Sequence, residues 1–398
     1  MKFATLVARA RKEKVTLLGV GPVSENAVIC TLAVAREMNA PVIFIASRNQ
    51  VETPEIGKGY VRGWSPGEMA RFIRENADGA VYFLERDHGG PWQRDEERNP
   101  YLPEEVAFRQ ALVSYQADLK AGFHLLHIDP TRRKNTTLAQ VVRDAVYLMG
   151  EIEKYRKKMA LPPVDYEIGT EENYAGVMEE EKFCWLLQNL LGKLQKKKLP
   201  RPVLVVGQTG SLVKMDCNVG CFSPRAATRM AALAGSFGVG LKEHNTDYLE
   251  EHFLLQHRLS GITSANVAPE FGVLESKLLL KLASEEELLR ERGRIRHISG
   301  FKEVFISRSL ATGRWQKWLD QERGNVNLEN DYWRLKLTSI CGHYVFADQE
   351  VLEKRSRMME NLKVLYPDPE GLIREEIKKA LRKYFHCFGL ENFLKGEK

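Results

Sequence analysis

Asp87 and His88 stand side by side just after an apolar run, residues 80–84. The same pattern recurs along the chain. His127 and Asp129 punctuate the run 123–129, Glu171 follows 166–170, and Gln208 follows 203–206. His244 follows 240–243, and Asn266 sits within Ser264-Ala265-Asn266-Val267. Imidazoles and carboxylates are the side chains that bind divalent cations and move protons near neutral pH. His88, Glu171 and His244 make a set of two imidazoles and one carboxylate, a frequent arrangement for a catalytic metal that keeps a position open for water or substrate. Asp87 would then face the substrate space, where a carboxylate beside a cation exchanges a hydroxyl proton. Gly89 and Gly90 allow close approach of backbone. The plainer reading of each residue is structural. An Asp-His pair often caps a turn, Glu171 beside Glu172 often faces solvent, and His244 suits a helix start.

What raises these residues above that reading is their shared place at strand ends, so the elements matter. Eight β-rich runs are expected as strands: 15–20, 41–46, 80–85, 123–129, 164–169, 202–206, 239–243 and 261–267. Amphipathic segments separate them. Residues 24–39 form one; 103–122 form another, opened by Pro103-Glu104-Glu105, where proline needs no donor and acids suit the helix dipole. Eight such units predict an α/β protein of the (β/α)₈ barrel class over residues 1–285, with a doubly wound open sheet as the competitor. In a parallel barrel the C-terminal strand ends converge on one mouth. From 286 to 398 the strand pattern stops, and a helical C-terminal extension that packs on the barrel is expected, with helices at 349–365 and 369–388. Trp315, Trp318, Tyr332 and Trp333 read as packing residues.

Composition narrows the function classes. Fifty-nine basic and 53 acidic residues are interspersed, so the net charge of +6 has no concentrated stripe of the kind nucleic acid needs. Lys196-Lys197-Lys198 reads as a solvated helix end. The six cysteines lie far apart except Cys217 and Cys221, which lack a second nearby pair for a structural zinc site. A reduced, cytoplasmic protein is expected, without a membrane or nucleic-acid partner. Gly19-Val20-Gly21-Pro22 is not a dinucleotide fingerprint, because Ser24 stands where the third glycine belongs. Weaker candidates for holding substrate oxygens are Ser47, Asn49 and Gln50 at the end of the second strand, together with Asp129, Gln208 and Asn266. Asp216 closes the loop that begins at Gln208, and His124 or His127 reads as a satisfied core histidine.

Several of these segments occur together in a known family. Ser47-Arg48-Asn49-Gln50-Val51, Asp87-His88-Gly89-Gly90-Pro91, and Ala121-Gly122-Phe123 leading to His127-Ile128-Asp129 come first. Ile168-Gly169-Thr170-Glu171, Glu243-His244-Asn245-Thr246-Asp247-Tyr248 and Met358-Met359-Glu360-Asn361-Leu362 follow. In order and spacing they resemble the second, so-called non-catalytic subunit family of class II D-tagatose-1,6-bisphosphate aldolases. That family is related to the class II fructose-bisphosphate aldolases, which are metal-dependent TIM barrels, and to ketose 4-epimerases. The resemblance implies that Asp87 exchanges the C4 hydroxyl proton, that His88, Glu171 and His244 hold a divalent metal, zinc by expectation, and that Asn266-Val267-Ala268 contacts substrate. It implies a sugar or sugar-phosphate substrate, aldol chemistry at C3–C4 giving cleavage or C4 epimerisation, and an oligomer. The alternative it carries is a non-catalytic subunit that stabilises a partner tagatose-bisphosphate aldolase. One departure stands out. Catalytic relatives follow the third ligand with a Gly- and Ser-rich loop that cradles phosphate, whereas here the sequence is Asn245-Thr246-Asp247. Phosphate would then be held elsewhere, by Arg48 or Arg86, or the substrate would lack it. A sugar kinase, a name attached to this family, finds no glycine-rich nucleotide loop.

Overall fold

The eight apolar runs form eight parallel strands, because their branched and aliphatic residues are buried on both faces between the barrel interior and the helices outside. The computed structural model describes residues 1–170, 176–319 and 326–395. In chain order the strands are β1 Leu17–Val20, β2 Val42–Ser47, β3 Tyr82–Gly89, β4 Leu125–Ile128, β5 Asp165–Ile168 and β6 Leu204–Val206. A short ribbon, β7 Val213–Lys214 and β8 Cys217–Asn218, comes next, then β9 Gly240–Glu243 and β10 Ser264–Val267. The barrel closes in the order β1-β10-β9-β6-β5-β4-β3-β2. The antiparallel ribbon lies in the loop after β6 and has too few residues to show an alternating pattern in the sequence. The open doubly wound sheet is thereby excluded.

The helices start where local chemistry says they should. Ser24 accepts the backbone N–H of Ala27 at 3.0 Å and caps Glu25–Glu37. Gly122, at φ +80°, ends Glu104–Ala121 in the left-handed conformation that glycine adopts without a Cβ clash. The last barrel helix, Pro269–Glu291, runs straight across residue 285.

Beyond it, among the described residues, lie the α-helices Phe301–Ala311, Asp331–Cys341, Gln349–Leu362 and Pro369–Cys387. The last packs on Glu25–Glu37, held by an Arg382–Glu37 ion pair at 2.8 Å. The chain end then hydrogen-bonds back to the barrel, Asn392 N–H donating to the Met38 carbonyl at 2.7 Å. One apolar core runs through the barrel and this C-terminal region alike. All six cysteines are free thiols. Among the described residues no helix is long and apolar enough to cross a membrane.

Candidate metal and substrate site

Strand β3 carries the first device of the site. Its register against β4 jumps from Arg86↔Leu126 to Gly89↔Ile128, three steps on one strand against two on the other. The extra residue is a bulge, and His88 sits in it at φ +43°. The left-handed conformation costs an L-residue about 1–2 kcal/mol. In return both Asp87 and His88 border the cavity at the barrel mouth, where strict alternation would turn one of them away.

Two imidazoles meet there with defined tautomers. His88 Nδ1 lies 2.8 Å from Asp129 Oδ2, and His244 Nε2 lies 2.9 Å from Glu167 Oε1. A carboxylate only accepts, so each of those nitrogens carries the hydrogen. The lone pairs of the two other nitrogens, His88 Nε2 and His244 Nδ1, then point at each other across 3.2 Å. Such a pair needs a cation, either a proton or a metal ion. Burial and the neighbouring acids set the proton balance. Burial lowers the pKa of His88, but Asp87 and then Asp129 outweigh it and hold the ring above its ordinary value. Burial takes His244 down to about 4 despite Glu167. Each imidazole is backed by a carboxylate, the arrangement that orients metal-binding histidines.

His127 completes the group. Asp87, His88, His127 and His244 each offer an atom within 4.8 Å of the others. His127 Nδ1 accepts the backbone N–H of His88 at 3.1 Å, and its buried Nε2 has no hydrogen-bond partner. The sequence leaves open which of His124 and His127 is a core histidine. The signal that could have found it is its spacing from Asp129, two residues along a strand and therefore on the same face. Glu171, the third expected metal ligand, lies outside the described residues.

Beneath the imidazoles is a buried charge relay. Lys242 Nζ is 2.8 Å from Glu167 Oε2 and also pairs with Glu85, and all three side chains are fully buried. Burial, reinforced by the Glu167 charge, pushes the Glu85 carboxyl well up, whereas Lys242 and the histidines overcome burial and hold Glu167 well below the usual carboxylate range. The two acids are thus pushed in opposite directions on either side of one ammonium. Asp87 is also held well below its usual range, as His88, His127 and His244 outweigh its burial. Asn266 Nδ2 donates to Asp87 Oδ1 at 3.2 Å. Glycines make room for this layer. A Cβ at Gly169 would stand 2.7 Å from Asp129 Oδ1 and 3.0 Å from His127 Nε2.

The mouth opens into a cavity of 560 Å³. Of the residues expected to hold substrate oxygens, Ser47, Asn49, Gln50 and Asn266 border it. Asn49 is committed to the neighbouring loop, accepting from Asp95 N–H at 3.0 Å and donating to the Gln93 carbonyl at 3.2 Å. Gln50 Oε1 accepts from Ser47 N–H at 2.8 Å. Asp129 and Gln208 do not border the cavity. Asp129 is spent on His88 and on the Thr131 hydroxyl, 2.6 Å away, and so stands behind an imidazole instead of in the substrate space. Asp216 pairs with Lys277 and Lys336.

The expected phosphate holders Arg48 and Arg86 are a correction. Arg48 is fully buried on Glu52, Glu97 and the Gly90 carbonyl, and Arg86 on Asp118 and the carbonyls of Ala46 and Val51. Their donors stitch loops together, and neither residue borders the cavity at the mouth. Asp247 explains the missing phosphate loop. Its Oδ1 accepts the N–H groups of Ala268 at 3.0 Å and Glu270 at 2.9 Å, at the start of helix Pro269–Glu291. That is where a barrel commonly seats an anion. The protein's own carboxyl fills it, its pKa pushed up to about 8 by burial and by Glu270.

No family model matches the sequence, and no curated protein sequence matches it. Solved structures do match. A probable tagatose 6 phosphate kinase from Sinorhizobium meliloti superposes with a TM-score of 0.76 at 19% identity, over 94% of this chain and 100% of that one. A fructose-bisphosphate aldolase from Campylobacter jejuni gives a TM-score of 0.55 at 14% identity, over 98% of this chain and 94% of that one. This chain has their fold. The likeness spans barrel and C-terminal region together and fits the aldolase-related resemblance seen in the sequence.

Proposed function

We propose that this protein is a divalent-metal-dependent enzyme of the class II aldolase type, acting on a ketose or ketose phosphate of the tagatose or fructose kind. The observation that carries the proposal is the convergence of the His88 Nε2 and His244 Nδ1 lone pairs at 3.2 Å beside the Asp87 carboxylate. His88 and His244 would hold the ion, with Glu171 as the proposed third ligand. A bound divalent ion would polarise the ketose carbonyl and favour charge on its oxygen.

The residues of the chain supply the rest. Asp87 accepts the proton of the C4 hydroxyl as the C3–C4 bond breaks; the bond electrons pass to the ketone fragment and C4 becomes an aldehyde carbon. Asn266 holds the Asp87 carboxylate in place. Asp129 and Glu167 fix the imidazole tautomers, which keeps the rings aimed. Returning the proton after the aldehyde has turned its other face gives the C4 epimer, so cleavage and epimerisation share one set of groups.

The test is Asp87→Asn in the full chain. Turnover of D-tagatose and D-fructose, free and phosphorylated, should fall by about 10²–10⁴-fold while metal content, read by mass spectrometry, stays at the wild-type level. Unchanged turnover removes Asp87 from the chemistry. The non-catalytic subunit is the second reading, favoured by Asp247 filling the usual anion position. It requires wild-type protein that turns over no ketose with metal supplied but stabilises an added tagatose-bisphosphate aldolase. Sugar kinase activity draws no support, because the sequence has no glycine-rich nucleotide loop.

A further inference from the structure

The cavity above the imidazoles is strongly cationic. Among the described residues Arg98, Arg132, Lys214, Arg314 and Lys317 border it, with the carboxylates Asp87 and Asp247. Asp247 is turned to the helix start and is held toward its neutral form. Two of the cations, Arg314 and Lys317, come from the C-terminal region, outside the barrel. Arg314 is framed by aromatic faces, its guanidinium carbon 5.3 Å from the Tyr60 ring centre and 4.9 Å from that of Tyr344. Stacking of this kind pre-orients the guanidinium fork.

Among the described residues the nearby acids Asp95 and Glu96 stop short of that fork, Glu96 Oε1 lying 3.8 Å from Nη2. Arg314 Nη1 is 3.8 Å from Asp95 Oδ2, too far for a hydrogen bond, and the nitrogen is buried without a partner among the described residues. Lys317 Nζ is 3.7 Å from the same carboxylate, which already accepts from Arg98. Three cations thus share Asp95. Desolvation, only partly offset by Asp95, holds Lys317 below the ordinary lysine range although its side chain is 37% exposed, and Arg314 and Arg98 add to this. A buried donor without an acceptor is costly, and a bound anion removes the cost.

We propose that Arg314 and Lys317 form the anchor for an anionic group at the end of the ketose away from the metal, taking over the role that Asp247 denies to the start of helix Pro269–Glu291. This rests on the aldolase-type reading for the identity of the sugar, but the anchor itself is a claim about anions. Phosphate and carboxylate share the required chemistry, and a planar fork beside an ammonium suits either. Substrate choice would then depend on the C-terminal region, which makes that region part of the site.

The experiment uses the full chain loaded with zinc, as wild type, Arg314→Gln, Lys317→Gln, the double variant, and Arg314→Lys. Calorimetry compares D-tagatose with D-tagatose 6-phosphate and D-tagaturonate, and phosphorus NMR follows inorganic phosphate. Each Gln substitution should weaken the anionic ligands by about tenfold to a hundredfold, so the advantage of the charged sugar over the neutral one collapses in the double variant. Arg314→Lys should lose less than Arg314→Gln, since charge is kept and only the fork is lost. The charged arm that binds more tightly to wild type tells phosphate from carboxylate. Metal content and a thermal melt establish that each variant is folded. Phosphate and both acidic sugars binding equally to wild type and folded double variant would overturn the anchor. Phosphate binding that disappears in the double variant, together with a wild type that turns over no ketose, would uphold the anchor and sink the aldolase reading instead.

Discussion

Lys242→Met tests the floor of the site most sharply. Lys242 is a fully buried ammonium 2.8 Å from the Glu167 carboxylate. At an effective dielectric constant of about 20 the gross attraction at that distance is roughly 6 kcal/mol, before desolvation is subtracted. Glu85, the other neighbour, is pushed toward its neutral form by burial and by Glu167, so the ammonium chiefly balances Glu167. Methionine has nearly the same length and no charge. It leaves a single buried carboxylate without a counter-ion, which costs about 3–5 kcal/mol. Without the ammonium the Glu167 pKa rises and the acid is driven to take up a proton; the neutral acid backs His244 Nε2 less well, and loss of such a backing carboxylate weakens metal binding by about 10–100-fold. Urea denaturation of the metal-free protein reads the first effect, and competition with a zinc chelator reads the second. The double variant Lys242→Met/Glu167→Gln separates them. Removing both charges should restore at least about 2 kcal/mol of stability, because the buried charge has gone, while metal affinity stays low, because His244 still lacks its carboxylate. A double variant no more stable than Lys242→Met would refute the reasoning, since the ion pair would then not be what the lysine provides.

Asp129→Asn should weaken zinc binding by about 10–100-fold through loss of the carboxylate behind His88, checked by chelator competition; wild-type affinity would show that His88 needs no such partner. Gly169→Ala puts a Cβ 2.7 Å from Asp129 Oδ1 and should cost about 1–3 kcal/mol of stability, with zinc affinity falling alongside because Asp129 must move; urea midpoints and zinc titration report both. His257 gives a pH prediction away from the site. Its Nδ1–H donates to the Phe253 carbonyl at 2.8 Å, its ring stacks on Phe222, and burial takes its pKa from 6.5 down to about 4. The unfolded chain therefore binds a proton between those values that the fold refuses, so stability falls as pH drops from 6.5 toward 4, by up to about 3 kcal/mol. His257→Gln should flatten that part of the urea-midpoint profile, and an unaltered slope would exclude His257 as its source.

The sequence by itself determined which stretches are strands, since short apolar runs bounded by polar residues suit buried parallel strands, and it determined which polar residues stand at their ends; closure into a barrel instead of an open sheet was decided by the tertiary structure. Asp87, His88, His244 and Asn266 meet at one mouth for that reason: in a closed parallel barrel a common strand end is a common place. The altered Asn245-Thr246-Asp247 segment was also legible, because an acid cannot cradle an anion. Tertiary structure decided how these groups are aimed and balanced. A bulge in β3 turns Asp87 and His88 the same way, which simple alternation does not foretell. Asp129 backs His88 instead of facing substrate, because β4 brings it behind the ring. Glu85 and Lys242 are 157 positions apart and meet only when the barrel closes. Arg48 and Arg86 look available in the sequence, yet the folded loops bring Glu52, Glu97 and Asp118 onto them, while Arg314 and Lys317 come from a helical region whose pattern announced only packing. Periodicity along a chain reports which face a residue takes, for that is local geometry. Which charge finds which counter-charge is set by closure over long separations, and that information lies in the packing of the whole barrel with its C-terminal region.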